Sequence, residues 1–463
     1  MSLEDKLYPL FSMYERMPRG VQRAVGFSYR QLPESFRRGQ RYADFKQLAA
    51  EGERWSRDQI ADYQWKALWT VLLHAKKHCP FYRKKFAEHG FDPAQIRDFS
   101  DLSKCPTLSK QEVIDHREEM VSDAFPATEQ LYITTGGSTG VPVGFYLQKG
   151  VSRAKETAFL ETVWKRGGYF DGARLALLRG HVTTTESHGP ISSYDATRDW
   201  LILSSGHLSS GRIAEYIKEL EEFKPDLLYV YPSSALNFAD LVQKTGLQWK
   251  IPLRGVLCGS ERLTQPQRNI IESVFDCRAY SWYGHSERVV LAAEGRNSGT
   301  YYFVPQYGYA EFGPPTPEGL REVIGTSFDN LLMPLIRYRT GDYVRLVEGG
   351  EELEYPVPAA SDVAGREQEF LVSGTGRKIS LTAFNMHDSV FDGLYSVQFF
   401  QQTAGVAEFR YVAGPSFESN RLRVIEEGIR RKLGDDFVVT FRHVSEVDKT
   451  PAGKHKWLVT SLK

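Results

Sequence analysis

The chain has 463 residues, 41% of them hydrophobic and 25% charged, a globular composition with room for one large domain and a smaller one. Lys and Arg number 58 and Asp and Glu number 58, so net charge gives no reason to expect a nucleic acid or an anionic membrane as partner. The four cysteines are widely spaced, which predicts no disulfide and no zinc site. The amino terminus is polar and the chain has no long apolar run, so we predict no signal peptide and no transmembrane segment. These features favour a cytoplasmic protein.

The first 125 residues are predicted to be mainly helical. Apolar residues between Ile60 and Ala75 recur on one helical face, and Cys79-Pro80 marks the end of that helix. The segment from Met13 to Leu32 mixes apolar and basic residues, which leaves a membrane-surface helix open. A helix docked on the body is favoured there because no sustained apolar face is visible.

From about residue 130 the pattern alternates between strand and helix. Leu227 to Tyr231 reads as a buried strand that follows an amphipathic helix from Ile213 to Phe223, and Leu253 to Leu257 reads as another strand. This alternation predicts an α/β fold with parallel sheet layers covered by helices.

After Gly365 the chain shows a second pattern of its own. Ile425, Ile429 and Leu433 mark one helix, and the segment from Val438 to Phe441 marks a strand. We therefore predict a domain boundary between residues 361 and 366.

The most informative segment runs from Thr134 to Pro142, with the sequence TTGGSTGVP. Glycines let the backbone approach an anion closely, and the hydroxyls and amides supply donors. No Gly-Lys-Ser/Thr follows, so this is not a Walker loop. From these residues alone, a phosphate-binding loop and a ligand-free hairpin turn are equally supported.

A second segment runs from Tyr280 to Glu287, with the sequence YSWYGHSE. An aromatic ring beside a glycine can stack on a purine, and a nearby carboxylate can hold Mg²⁺ that bridges phosphates. The alternative from these residues alone is a core strand with an aromatic end.

A third segment runs from Pro334 to Asp342, with the sequence PLIRYRTGD. An ionised Asp after a glycine accepts hydrogen bonds only, which suits two vicinal ribose hydroxyls. A Thr-Gly-Asp turn is common, so by itself this segment decides nothing.

A fourth segment, Lys449 to Lys454, reads KTPAGK near the carboxyl terminus. A lysine delivered from such a loop can neutralise charge on a reacting carboxylate and phosphate. The alternative is a solvated tail.

In this order, the four motifs resemble those of the acyl-adenylate-forming superfamily, and most of all its phenylacetate–CoA ligase branch with the CapK-like proteins of polysaccharide clusters. The resemblance spans nearly the whole chain, and the segment from Pro334 to Asp342 is its most specific match. It implies a large AMP-binding domain, residues 1–362, and a small mobile α+β lid domain, residues 363–463. It also implies ATP and Mg²⁺, and activation of a carboxylic acid as an acyl-AMP.

The resemblance also implies roles for individual residues. Ser286 stands where relatives carry Thr and keeps the hydroxyl, whereas Gln368 stands where many carry an acidic hinge residue. The phosphate loop would consist of Thr135, Gly136, Gly137, Ser138, Thr139 and Gly140, and the residues implied to bind adenine are Gly259, Ser260, Glu261, Tyr283 and Gly284. Glu287, beside Ser286, would bind Mg²⁺, and Asp342 would bind the ribose. Arg366 would contact the nucleotide, and Lys454 would assist adenylation.

The sequence says less about which carboxylic acid is activated and which acceptor receives the acyl group. Side chains next to strand ends are the candidates for the acyl pocket, and Arg179-Gly180-His181 hints at a polar or charged acid. These candidates are Tyr132, Arg179, His181, Tyr231 and Ser233.

Several alternatives stay open at this point. We expect CoA as the acceptor, and the alternative is an amine or hydroxyl in CapK-like polysaccharide tailoring. Val141 stands in the phosphate loop where relatives usually carry Lys, and together with the altered hinge it leaves open a nucleotide-binding homologue without catalysis. A further alternative, a P-loop kinase or ATPase, would release ADP instead of AMP. The expected partners are small molecules, no nucleic acid is expected, and a homodimer is left open.

Overall fold

The computed structural model describes residues 17–134, 143–180, 189–205, 207–297, 299–347, 353–364, 370–381, 394–414, 417–448 and 457–462. The helices in these ranges are α1 (Arg19–Gln31), α2 (Glu34–Arg38), α3 (Gln40–Gly52), α4 (Arg57–His78), α5 (Pro80–Glu88), α6 (Lys110–His116), α7 (Ser152–Trp164), α8 (Ile213–Phe223), α9 (Pro232–Thr245), α10 (Gln265–Phe275) and α11 (Ser419–Leu433).

The first ten strands are β1 (Gln130–Thr134), β2 (Gly144–Gln148), β3 (Leu175–Leu178), β4 (Ser192–Asp195), β5 (Trp200–Leu203), β6 (Leu227–Val230), β7 (Gly255–Cys258), β8 (Ala279–Gly284), β9 (Leu291–Glu294) and β10 (Tyr301–Phe303). The others are β11 (Gly308–Pro315), β12 (Arg321–Ser327), β13 (Tyr338–Leu346), β14 (Ala359–Ala364), β15 (Phe370–Val372), β16 (Lys378–Ser380), β17 (Leu394–Thr403), β18 (Val406–Ala413), β19 (Val438–His443) and β20 (Leu458–Thr460).

The chain forms two compact units. The first comprises Met1–Ile133, Gly144–Arg166 and Ser281–Gly365, and the second comprises Thr134–Val143, Gly167–Tyr280 and Arg366–Lys463. None of the described helices is long and apolar enough to cross a membrane.

Helix α4 in the first unit ends where the sequence predicts, directly before Cys79, and a capping box marks its start. Ser56 accepts a hydrogen bond from the Gln59 amide, and the Gln59 side chain accepts one from the Ser56 amide, so both ends of a capping box are made. The side chains that this helix buries are Ile60, Leu68, Val71, Leu72 and Ala75, which confirms the predicted face.

The expectation that Met13 to Leu32 docks on the body differs from what the described part of that segment shows. Helix α1 exposes Val21, Val25 and Phe27, and Gly26 is the buried position among its described residues. Its apolar side chains therefore contribute little to the core of the unit.

The main sheet of the first unit is antiparallel. Its strand order is β11-β12-β13-β14-β10-β9-β8, and each neighbouring pair runs antiparallel. Strand β8 pairs with β9 through Trp282, Tyr283 and Gly284. This pairing fixes where the second sequence motif leaves the sheet.

The second unit contains the predicted parallel layer. Strands β7, β6, β3 and β5 are parallel neighbours, and β4 closes the edge antiparallel to β5. Helices α8 and α9 connect successive parallel strands, and α8 buries the predicted face from Ile213 to Phe223. These findings confirm the α/β class.

The residues after 370 form a four-stranded sheet, in the order β19-β18-β17-β20, with helix α11. One hydrophobic cluster there consists only of residues between Leu371 and Leu458, and it includes the predicted helix positions Ile425, Ile429 and Leu433. This separate core supports a small C-terminal domain, and the boundary at residues 362 and 363 stays a prediction.

Candidate functional site

Glu287 lies just beyond the end of β8, in the first unit. Its side chain is 13% exposed. The Tyr338 hydroxyl donates to one carboxylate oxygen at 2.9 Å, and His285 Nδ1 lies 3.0 Å from the other. The carboxylate is thus oriented by two neighbours, one from its own turn and one from β13.

Charge and hydrogen bonding keep Glu287 ionised in this buried position. Burial alone would raise its pKa, but the hydrogen bond and charge of His285, followed by the charge of Lys110, lower it to about 2. The pKa of His285 is raised, because its contacts with Glu287 outweigh the effect of burial. The pair therefore holds a fixed negative charge beside a protonatable ring.

His285 has a second nitrogen that is not used within the described structure. Its Nε2 is buried and has no hydrogen-bond partner among the described residues. Buried polar atoms in native proteins are normally paired, so this nitrogen is open to a water molecule or to an acceptor on a ligand.

Asp342 is the last residue of a bulge in β13, where the sequence suggested a simple turn. Between two aligned pairs of β12 and β13, a single residue, Val323, faces three residues from Thr340 to Asp342. Gly341 has φ +73°, and the Thr340 hydroxyl donates to the Val323 carbonyl at 2.7 Å. A glycine is required there because a left-handed conformation is costly for other residues, and the bulge redirects the Asp342 side chain.

Tyr283 and Asp342 meet in the first unit. The Tyr283 hydroxyl donates to Asp342 Oδ2 at 2.9 Å. Burial, reinforced by the Asp342 carboxylate, raises the pKa of Tyr283 well above its usual value. The two residues predicted to bind adenine and ribose are therefore adjacent, and the tyrosine keeps its proton.

A short parallel bridge brings α6 to this site. The Leu108 amide donates to the Arg337 carbonyl at 3.0 Å, and the Arg339 amide donates to the Leu108 carbonyl at 2.9 Å. Helix α6 begins two residues later, at Lys110, whose charge acts on Glu287. Arg337 adopts φ +48° and is held by a bidentate ion pair with Glu311, which fixes the start of the third motif.

In the second unit, Arg179 follows the carboxyl end of β3. Its guanidinium lies over the rings of Tyr229 and Tyr231, at 4.0 and 4.6 Å from their centroids. It donates to the Ser260 hydroxyl at 2.8 Å and, more weakly, to the Val230 carbonyl at 3.4 Å. Within the described residues it forms no ion pair with a carboxylate, so part of its charge and donor capacity is available at the edge where parallel strands bind ligands.

Ser233 and Glu261 form a buried pair at the start of α9. The Ser233 amide donates to Glu261 Oε2 and its hydroxyl donates to Oε1, both at 2.9 Å. A carboxylate at a helix N-terminus satisfies an otherwise unpaired amide and complements the helix dipole. Both residues thus have a structural task here, and their predicted contacts with substrate and nucleotide stay predictions.

Tyr132 in the first unit is bound by Arg117. The Arg117 guanidinium lies 5.1 Å from the Tyr132 ring centroid and donates to its hydroxyl at 3.0 Å. Gly144 makes this position possible, because a Cβ on it would stand 1.9 Å from the hydroxyl. The predicted pocket role of Tyr132 stays a prediction.

Comparisons with known proteins add to this geometry. No family model matches the chain. It is 27% identical to the phenylacetate-coenzyme A ligase of Pseudomonas putida over 68% of this chain and 72% of that protein. It is 21% identical to the protein CapK of Staphylococcus aureus over 84% and 87%. These relatives support the resemblance of the chain to the acyl-adenylate-forming superfamily, in its phenylacetate–CoA ligase and CapK-like branch.

Solved structures of a CoA ligase share the fold of this chain. A 2-hydroxyisobutyryl-CoA ligase, in complex with 2-HIB-AMP and CoA in the thioesterification state, matches with a TM-score of 0.57 at 18% identity, covering 89% of this chain and 91% of that one. The same ligase in the postadenylation state in complex with 2-HIB-AMP matches with a TM-score of 0.52 at 19% identity, covering 86% of this chain and 88% of that one.

Several residues that the superfamily resemblance singled out lie outside the described residues. They are the phosphate-loop residues Thr135, Gly136, Gly137, Ser138, Thr139 and Gly140, the pocket candidate His181, the junction residue Arg366 and the lysine Lys454. Gly259, Gly284 and Ser286 are described, at the ends of β7 and β8. Their roles stay predictions.

Three members of the first-unit site were missed by sequence reasoning. His285 lies inside the second motif and Tyr338 lies inside the third, but neither residue was assigned a role from the sequence. Lys110 belongs to a segment far away in the sequence, and only the bridge to Arg337 reveals its connection to Glu287.

Proposed function

We propose that this chain is an ATP-dependent, AMP-forming acid ligase. A carboxylate oxygen of the substrate forms a bond to the α-phosphorus of ATP, the bond from that phosphorus to the pyrophosphate oxygen breaks, and acyl-AMP and pyrophosphate are the products. Positioning and charge stabilisation carry most of such a step. The observation that carries the proposal is the Glu287, Tyr283 and Asp342 site in a chain of this superfamily.

The site fits a magnesium ion that is shared with the nucleotide. Mg²⁺ is usually held by one or two carboxylates together with substrate phosphates, and Glu287 is a buried, ionised carboxylate. No group of three or more potential metal ligands occurs among the described residues, so we propose no closed protein cage there. Glu287 would hold the ion, which when bound neutralises charge on the phosphates.

The remaining residues of the first-unit site would position the nucleotide. We assign Asp342 to the ribose hydroxyls and Tyr283 to the adenine, because the hydrogen bond between them ties the two together. The unpartnered Nε2 of His285, whose pKa is raised, would donate to an anionic group of the bound nucleotide. The phosphate loop and Lys454 keep the roles that the superfamily resemblance implies.

The substrate acid would carry a polar or anionic group besides the reacting carboxylate. Arg179 supports this assignment, because it is half-buried, lies over the rings of Tyr229 and Tyr231 and has no carboxylate partner among the described residues. A purely apolar acid beside it would bury this charge without compensation, which costs free energy.

CoA is the acceptor that we favour for the second step, in which the thiol sulfur displaces AMP from the acyl carbon. The phenylacetate-coenzyme A ligase relatives support it. The similarity to CapK supports the second candidate, transfer to an amine or hydroxyl in polysaccharide tailoring.

Product analysis with the intact chain tests these assignments. The enzyme is incubated with ATP, Mg²⁺ and a panel of acids, once with CoA and once with amines and sugars. We expect AMP together with an acyl-CoA. AMP with an amide or ester and no thioester would replace CoA by the second candidate, and ADP as the main product would remove the proposal.

A further inference from the structure

The amino-terminal helices concentrate exposed apolar side chains. Thirteen large apolar side chains of the described residues are exposed, and five of them fall between residues 21 and 36. They are Val21, Val25, Phe27, Leu32 and Phe36, with exposed fractions of 46%, 45%, 58%, 36% and 59%. Isolated exposed apolar residues are normal, but a cluster of this kind indicates an interaction surface.

The exposed residues of α1 follow helical spacing. Val21 and Val25 occupy positions i and i+4, which lie on one face of the helix, and Leu32 is the extended residue that directly follows its last turn. Arg30 is nine positions after Val21, about two and a half turns, and so belongs to the opposite face. Helix α1 is thus amphipathic, with an apolar face that its own unit leaves exposed.

The same segment carries positive charge in a chain that is neutral as a whole. Residues 17–41 contain six arginines against one acidic residue, Glu34, a net charge of +5. One of the six, Arg38, pairs with Glu161 at 2.7 Å and anchors α2 to the unit. The segment as a whole therefore carries an excess of positive charge in the same stretch of chain as the exposed apolar side chains.

We infer that α1 and α2 form a docking surface for an anionic membrane. An interfacial helix has an apolar face and a polar face rich in Lys or Arg, and it is attracted to acidic headgroups. No described helix crosses a membrane, so the association is peripheral. This placement does not depend on the proposed ligase activity.

Two other occupants fit the surface less well. A symmetric pair of chains would bring the same patch of net charge +5 against its copy, which is repulsive. A nucleic acid would match the charge but would leave the five apolar side chains without a partner, since phosphate contacts do not need them.

Vesicle flotation with the full chain tests the inference. Vesicles of phosphatidylcholine with phosphatidylglycerol are compared with vesicles of phosphatidylcholine alone. We expect binding to the anionic vesicles, weakened by high salt, and little binding to the neutral ones. The double substitution Val21→Glu and Val25→Glu should lower the partition coefficient by about tenfold or more, because it removes apolar contact and adds negative charge.

The matched control is Val424→Glu, on helix α11, where the valine is 51% exposed. This substitution should leave vesicle binding unchanged. All the substituted side chains are exposed, so we expect every variant to fold and to melt at the same temperature as the unsubstituted chain.

Four results would overturn the inference. The first is that the chain does not bind anionic vesicles, and the second is that Val424→Glu loses as much binding as the double substitution. The third is a dimer in sedimentation velocity that the Val21 and Val25 substitutions dissociate. The fourth is polynucleotide binding that those substitutions abolish.

Discussion

Substituting Gly341 by Ala tests the bulge that aims Asp342. Gly341 has φ +73°, and an L-residue in that region costs about 1–2 kcal/mol. If β13 relaxes this strain by moving the bulge, the Tyr283 contact with Asp342 at 2.9 Å is weakened as well. A net hydrogen bond is worth about 0.5–1.5 kcal/mol, so the affinity for ATP should fall roughly three- to tenfold.

The assay combines urea denaturation with isothermal titration of ATP in the presence of Mg²⁺. Gly90→Ala is the matched control, since Gly90 has φ +60° and a Cβ there meets no atom within 4 Å. Both variants should lose about 1–2 kcal/mol of unfolding free energy, and only Gly341→Ala should lose ATP affinity. Equal ATP affinity in the two variants would refute the reasoning that the bulge positions a ribose ligand.

Three further predictions use other contacts. Tyr283→Phe removes the donor to Asp342 and should weaken ATP binding by about fivefold in the same titration, and unchanged affinity would argue against the pairing. Arg179→Met should lower pyrophosphate exchange with polar or anionic acids relative to apolar ones, and an unchanged ranking of acids would contradict its substrate role. Burial alone would raise the pKa of Asp436, but Arg377 and neighbouring hydroxyls lower it. The ionised Asp436 therefore stabilises the fold above the usual Asp pKa of about 4, and this stabilisation is lost as the pH falls through the lower pKa of the folded state. The difference in unfolding free energy between the unsubstituted chain and Asp436→Asn, measured in urea, should shrink in acid. A difference that does not change with pH would contradict the pairing of Asp436 with Arg377.

The spacing of apolar residues within a segment was sufficient to predict the helices α4 and α8 and the strand from Leu227. The apolar spacing of α4 and α8 corresponds to the side chains that they bury, because each face is set by residues three and four positions apart. The strand from Leu227 was found for a similar reason, as a short apolar run after an amphipathic helix. Such signals lie within one element and need no knowledge of its partners.

The site residues were found more unevenly, because their geometry depends on distant parts of the chain. Asp342 was identified, but the bulge that aims it follows from the register of β13 against β12. Lys110 reaches Glu287 only through the bridge between Leu108 and Arg337. Long-range pairings of this kind leave no periodic trace in the sequence.

The same limit applies to α1. Its apolar residues are few and interrupted by polar ones, so the sequence favoured a helix docked on the body. Exposure of Val21, Val25 and Phe27 depends on what the rest of the unit covers, and that became visible only in the structure.

The most direct test of the central claim is acid-dependent exchange of labelled pyrophosphate into ATP, screened with the intact chain over aryl, fatty, amino and sugar acids. We expect exchange with at least one acid, and a loss of about 10²–10³ in rate in Lys454→Ala, the scale for removing one well-placed charge donor. Exchange at background across the whole panel, in a protein that binds ATP, would contradict the assignment of this chain as an adenylate-forming ligase.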